Sequence, residues 1–422
     1  MIILALNCGS SSVKYKLYKW GTHKSLTSGG VERIGIGGSF IKYEIDGQGE
    51  TKKEVECPDH RSALRLIVEA LTQGDKPVLT SITDIQAIGH RVVHGGEKFK
   101  SSVLINDEVL EAIRSVQDLA PLHNPPNIAG IEAAKELLPN IPHIAVFDTA
   151  FHQTMPESAY LYAVPYEWYG MYGVRRYGFH GTSHLYVSRR AAVLLGKKAS
   201  EVNLITMHIG NGVSIAAIKN GISVDTSMGL TPLEGAVMGT RCGDIDPAII
   251  LFMIEKEGFY AEQIDAILNK KSGLLGITGK YMDRRDIEKA AVDGDKRAQL
   301  AIEIETYRLK KYIGSYSAAL GKIDAIVFTA GAGELNWQIR EKSLEGLENL
   351  GIKLDKAKNK KTVTREKETL ISTEDSPVKV FVVPTDEEIV FIEDVVAILE
   401  GRYDTHTRFT YSFESQSYKR KA

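Results

Sequence analysis

One pattern occurs twice in this chain, about two hundred residues apart, and constrains the fold more than any other feature. Ile2-Ile-Leu-Ala-Leu6 is an apolar run, Asn7-Cys-Gly-Ser-Ser-Ser12 has turn composition, and Val13–Tyr18 alternates Val, Tyr and Leu with Lys. This predicts a β-hairpin. Leu204-Ile-Thr-Met-His208, the turn Ile209-Gly-Asn-Gly212 and Val213–Ile218, closing at Asn220-Gly221, repeat it with Gly210 aligned on Gly9. Two such units opening the two halves of a chain predict a duplicated α/β core. A length of 422 residues accommodates that duplication at roughly 100–200 residues per domain.

Helical spacing of apolar residues marks Ser62–Leu71 and Ile128–Leu138, and Thr182 or Ser183 is positioned to cap a helix ending at Gly196. Strands are expected at 324–329, running into Ala330-Gly-Ala-Gly333, and at 378–383, running into Pro384-Thr-Asp-Glu-Glu388. A helix from Ile389 to Leu399 follows. The domains expected are 1–150 with 385–402, and 151–384, sharing a cleft directly because no Pro/Ser-rich linker divides them. Residues 403–422, rich in Ser, Thr, Tyr and terminal Lys/Arg, are expected to be a disordered tail, with an added edge strand as the alternative.

Charge narrows the partners. Fifty-two Lys+Arg against fifty-four Asp+Glu leave a net charge of −2, so neither nucleic acid nor an anionic membrane is called for. Apolar runs fall short of the ~18–20 residues of a membrane-spanning helix. Cys8, Cys57 and Cys242 are too few and too scattered for a disulfide framework or a Cys-based metal site. A cytosolic, reduced protein is expected.

The two glycine turns can offer backbone N–H groups to phosphates, although neither is a Walker sequence. Two such turns entering one cleft is how an actin-like nucleotide fold holds a polyphosphate. Eight histidines fall between positions 90 and 208, close in sequence to Arg91, Arg175, Arg176 and Arg241. Their spacing does not favour zinc, because His180-Gly-Thr-Ser-His184 lacks the Glu of His-Glu-x-x-His and begins before the helix. The mixture suits the handling of phosphate. Phe147-Asp148-Thr149 follows a strand-like run, where α/β folds put ligands. Cys8 and Cys242 are expected to be alkylation-sensitive.

Several segments resemble those of the acetate kinases, the acetokinase family of carboxylate kinases. They are Gly89-His-Arg-Val-Val-His-Gly-Gly96, Leu122-His-Asn-Pro-Pro-Asn127, Val146-Phe-Asp-Thr-Ala-Phe-His-Gln153, Tyr177-Gly-Phe-His-Gly-Thr-Ser-His184, His208-Ile-Gly-Asn-Gly212, 225–235 and 239–247. The resemblance runs in order from residue 1 to about 400. It implies an actin-like (sugar kinase/Hsp70/actin) duplicated fold, a homodimer, and reversible phosphoryl transfer between ATP and acetate giving ADP and acetyl phosphate. Magnesium is the implied cation, with manganese as a substitute.

By the same resemblance Arg91, Asp148, His180 and Arg241 are catalytic. Arg91, Val93, Leu122, Phe179 and Pro232 hold the substrate. Lys14, His208, Ile209, Gly210, Asn211 and Gly212, together with Asp283, Arg284, Arg285, Gly331, Ala332, Gly333, Glu334 and Leu335, bind the nucleotide. Asn7 and Glu387 serve the metal. Three positions depart from the family pattern: Leu335 stands where Asn is usual, Asp386 where Asn is usual, and Cys242 where Ser is more common. Leu335 is expected to loosen base discrimination. The competing expectations are a propionate or butyrate kinase and a non-catalytic nucleotide-binding protein of the same fold.

Overall fold

A computed structural model describes residues 1–45, 49–74, 76–121 and 123–420. It divides into two compact units: Met1–Phe151 with Glu387–Tyr411, and His152–Asp386 with Ser412–Arg420.

In the first unit the strands are β1 (Ile2–Gly9), β2 (Ser12–Lys19), β3 (Lys24–Glu32), β4 (Phe40–Ile45), β5 (Gly49–Glu54), β6 (Ala87–Val92), β7 (Val103–Leu104) and β8 (His143–Phe147). They form one sheet in the order β5-β4-β3-β2-β1-β6-β8-β7. The predicted hairpin is present, but its strands reach further into the turn than expected. Asn7 pairs with Lys14 and Cys8 with Val13. Strand alternation therefore sends Leu4, Leu6 and Cys8 into the core. Burial pushes the Cys8 thiol up to about 12. Cys242 is also raised by burial, and its thiol donates to Gly243 O at 3.1 Å. Desolvation opposes the thiolate at both positions.

That core is shared with Ala63, Leu64, Ile67 and Leu71 of the His60–Thr72 helix, which is capped by Asp59. A second cluster joins Ile3, Ala87, Ile144 and Val146 to Phe391, Ile392, Val395 and Val396 of the Glu387–Leu399 helix. Burying each large side chain of this kind is worth roughly 1.5–3 kcal/mol. The helix approaches β6 closely. A Cβ on Gly89 would lie 2.2 Å from Phe391, so only glycine lets the segment carrying Glu387 pack where it does.

The second unit repeats the plan. Strands β9 (Asn203–Ile209), β10 (Val213–Lys219), β11 (Ile222–Thr226), β12 (Ala325–Thr329), β13 (Thr369–Leu370) and β14 (Lys379–Val382) are ordered β11-β10-β9-β12-β14-β13. In both units an antiparallel hairpin is followed by two strands parallel to its first member: β6 and β8 beside β1, β12 and β14 beside β9. The duplication expected from the glycine turns is this shared order. Asn220 and Gly221 both adopt positive φ, 52° and 79°, as a tight hairpin between β10 and β11 needs. β9 and β10 are buried almost throughout, and the Gly181–Leu194 and Lys296–Leu320 helices both pack on β9. No helix among the described residues is long and apolar enough to cross a membrane.

The C-terminal segment corrects the expected disordered tail, and the edge-strand alternative with it. Tyr411 and Phe413 are buried, and Ser412–Glu414 is a short 3-10 turn. Aromatic burial supplies the free energy that a polar tail lacks. Within the first unit the anchor is Asp394, buried on the Glu387–Leu399 helix. Its carboxylate accepts from Ser102 Oγ at 2.6 Å, Tyr411 OH at 2.8 Å and Tyr403 OH at 3.2 Å.

Burial pushes the Asp394 carboxyl up to about 7, against the opposing pull of those hydroxyls. Because the folded value lies above the unfolded one, this group's stabilising contribution is complete below the unfolded pKa. It is lost as pH rises through about 7. Asp394→Asn fixes the side chain neutral, so wild-type unfolding free energy is expected to fall relative to the variant as pH rises from about 4 to about 7, by an amount on the order of a few kcal/mol, and the wild-type Tm falls with it. Parallel Tm curves for the two proteins would show that Asp394 does not titrate as described.

Candidate active site

In the first unit, β6 and β8 lie side by side with Arg91 paired to Val146, which brings Asp148 just beyond the end of β8. Asp148 is buried and faces the Arg91 guanidinium in a two-pronged contact. Arg91 Nε donates at 2.9 Å and Nη2 at 2.6 Å. Asp148 pushes the Arg91 pKa further up, with Glu387 adding to it. The pair fixes one edge of the guanidinium, while about a third of the Arg91 side chain stays exposed. Arg91 is therefore a permanently charged donor held at a set angle.

Val93, two residues on and nearly buried, is anchored through its N–H to Asn127 Oδ1 at 3.0 Å. Leu122 lies outside the described residues. Asn7 is half-buried on β1, Lys14 is exposed opposite it on β2, and Glu387 is half-buried at the start of its helix.

In the second unit, His180 precedes the Gly181–Leu194 helix in a left-handed conformation, φ 57° and ψ 30°. It occupies the N-cap position itself, so Thr182 and Ser183 are inside the helix rather than capping it. A non-glycine residue rarely holds this conformation unless its surroundings require it. The His180 ring stacks on His208 with centroids 4.1 Å apart, and His208 Nδ1 lies 2.8 Å from Ser183 Oγ. Two further histidines serve structure. His184 lies 2.7 Å from Thr206 Oγ1 and 2.9 Å from Ser214 Oγ, and burial holds it well below the ordinary imidazole range. Burial likewise lowers His152 to about 4.

The loop after β9 meets these residues at Gly212. A Cβ there would lie 3.1 Å from Arg241 Nη2 and 3.2 Å from His180 Cε1, so arginine, imidazole and loop backbone converge on one point. Arg241 donates through Nη1 to Pro232 O at 2.6 Å. No carboxylate among the described residues lies within ion-pair distance of it, and burial lowers its pKa. Unlike Arg91, it is held by a carbonyl rather than by a carboxylate. Phe179 is buried next to His180, its carbonyl 3.1 Å from His152 Nε2.

Gly212 has no positive φ that would exclude alanine. Gly212→Ala is therefore expected to leave Tm nearly unchanged, displace Arg241 or His180 by a few tenths of an ångström, and lower kcat by about tenfold or more. Unchanged kcat would mean that these groups do not meet the reacting atoms.

The loop is braced from behind. Arg284 donates to Gly210 O at 2.7 Å and to Glu305 Oε1, while Gly210 N–H closes the turn on Gly212 O at 3.0 Å. Asn211 is crowded against Gly239, where a Cβ would sit 2.3 Å from its Oδ1. Asp283 caps the Arg284–Val292 helix and engages Arg285, which holds its carboxyl down near 2. Arg285 is otherwise exposed. Gly331, Ala332, Gly333, Glu334 and Leu335 form the short Ala330–Leu335 helix after β12, entered through Ala330 at φ 64°. A Cβ on Gly331 would meet open space, and Leu335 is half-buried. Asn336, the next residue, caps the following helix and donates to Glu288.

The family model of the acetokinase family matches residues 2–393. This chain belongs to the acetokinase family. An acetate kinase of Geobacter metallireducens is 65% identical over 420 residues, covering 100% of both chains. The crystal structure of Porphyromonas gingivalis acetate kinase superposes with a TM-score of 0.90 at 48% identity, over 94% of this chain and 99% of that one. A propionate kinase from Francisella tularensis superposes at 0.87 and 42% identity, over 94% and 99%. The acetokinase match stops before the C-terminal segment that packs on the second unit.

Proposed function

We propose that this chain is an acetate kinase that moves the γ-phosphoryl group of ATP directly onto acetate. Full-length identity of 65% to a curated acetate kinase is the observation that carries the activity. The convergence of Arg241, His180 and Gly212 supports the mechanism. An acetate carboxylate is already ionised at neutral pH, so no general base is required. Its oxygen bonds to the γ-phosphorus as the bond to the β–γ bridging oxygen breaks, and that electron pair leaves on ADP. The difficulty is approach of anion to anion, which fixed cations and donors relieve. In this reading Arg91 orients the carboxylate, Asp148 positions Arg91, and Arg241 and His180 take the charge of the phosphoryl in flight. Val93, Leu122, Phe179 and Pro232 receive the methyl group.

Lys14 and His208–Gly212 contact phosphates, and 283–285 with 331–335 receive the adenosine. Leu335 offers a base apolar contact without a hydrogen bond, which supports relaxed discrimination. Asn7 and Glu387 are the donors that would hold magnesium. One carboxylate and one amide fit an ion that keeps waters and phosphate oxygens as its other ligands. Held there, magnesium would supply positive charge to neutralise the phosphates.

A homodimer acting in the cytoplasm completes the proposal. Tyr166, Trp168, Met171 and Tyr172 on one short helix are all exposed, as are Ile249, Leu251 and Phe252 on another. Such apolar patches favour a protein partner. An acyl-hydroxamate assay with acetate, ATP and Mg²⁺ tests the activity, and a panel of short carboxylates tests its preference. Formation of product with acetate is expected, with kcat/KM falling for longer chains. No product at saturating substrates would refute the proposal.

A further inference from the structure

Residues 412–420 are held firmly on the second unit. Phe413 is fully buried against Tyr186, ring centroids 4.9 Å apart. Arg190 donates to the carbonyls of Phe413 at 2.6 Å and Ser415 at 3.1 Å, while its other edge grips Glu368 at 2.6 and 2.8 Å. Tyr186 and Arg190 belong to the helix that follows His180. What this anchored segment delivers is Arg420. Its guanidinium lies 3.6 Å from Asp386 Oδ2 and donates to Arg365 O.

Asp386 adjoins Thr385, whose N–H donates to Glu334 Oε1 at 3.1 Å and whose hydroxyl lies 2.8 Å from Ser183 Oγ. Ser183 is the partner of His208. Burial pushes the Glu334 carboxyl up, and the positive charge of Arg420 is among the groups that pull it back. Arg420 thus faces Asp386, the neighbour of the Thr385 N–H that holds Glu334 of the 331–335 segment. Without Arg420, the Asp386 carboxylate would repel an incoming anionic nucleotide.

We infer that residues 412–420 are a brace for the nucleotide loop, with Arg420 a positioning residue that neutralises Asp386 and so admits ATP. This rests on the reading of 331–335 as the nucleotide loop. The test uses the full chain and compares wild type, Arg420→Gln, Arg420→Lys, Asp386→Asn and the double variant Arg420→Gln/Asp386→Asn. The readouts are kcat, both KM values, and the ATP Kd measured calorimetrically without acetate.

Arg420→Gln is expected to raise the KM and Kd for ATP about three- to tenfold, leaving kcat and the acetate KM within about twofold. Arg420→Lys keeps the charge and stays near wild type. Removing the Asp386 charge in the Arg420→Gln background restores most of the ATP affinity, a coupling that a merely structural role would not produce. A chain ending at Lys419 reproduces the effect should the point variant fold poorly. Unchanged ATP binding in both, or a shift equally large with Asp386→Asn present, overturns the brace. An inactive wild type would refute the proposed function instead, and the ATP Kd would still decide the brace.

Discussion

Arg241→Ala lowers kcat by about a hundredfold or more while leaving Tm close to wild type. The two halves of that expectation have separate causes. Arg241 makes no ion pair among the described residues, only the 2.6 Å bond to Pro232 O, so its loss strands no buried carboxylate. The same isolation leaves its charge available to an incoming phosphoryl group, where a guanidinium acts on charge that develops as the reaction proceeds. Arg91→Ala should cost similarly in kcat but also lower Tm, because it abandons the buried Asp148. Purified variants assayed at saturating substrates, with circular dichroism melts alongside, check both. Wild-type turnover in Arg241→Ala, or equal stability losses in the two variants, would contradict the roles given.

Asp148→Asn is the second large effect, with kcat falling about ten- to a hundredfold. The amide keeps the volume but replaces one of two acceptor oxygens, so the fork that sets the Arg91 angle is broken. Since Asp148 is assigned to Arg91 rather than to a proton, the pH dependence of the residual activity should keep the wild-type shape. A general base would give a different result, namely loss of the acidic limb of the profile. Asp148→Glu, which retains the charge at a longer reach, should recover part of the rate. A changed pH profile in Asp148→Asn would reassign this carboxylate to proton transfer.

Much of this architecture is legible in the sequence because it is local. The glycine turns at Gly9 and Gly210–Gly212 announce both hairpins, and Asn220-Gly221 marks the next one. His180 reads as lying before its helix, which it does as the cap. The failures share a cause, which is tertiary packing. Nothing near Cys8 shows that its alternation partner Leu6 points to the core rather than the loop. The tail reads as disordered or as an edge strand, yet Tyr411 and Phe413 find Asp394 and Tyr186 through contacts distant in sequence. The Arg91–Asp148 fork and the Arg284 bond to Gly210 O join residues far apart in the chain, so no spacing rule could reveal them. They become visible only once β6 and β8, or the loop and its helix, lie side by side.

In the proposed mechanism the phosphoryl group passes in one step from ATP to acetate, with arginines and His180 as bystanders to the bonds that change. ATP made chiral at the γ-phosphorus with oxygen isotopes tests it directly. A single in-line displacement inverts that centre, so acetyl phosphate of inverted configuration is the predicted product. Retention would require a second displacement on the protein, most directly on an imidazole, and would rule out one-step transfer.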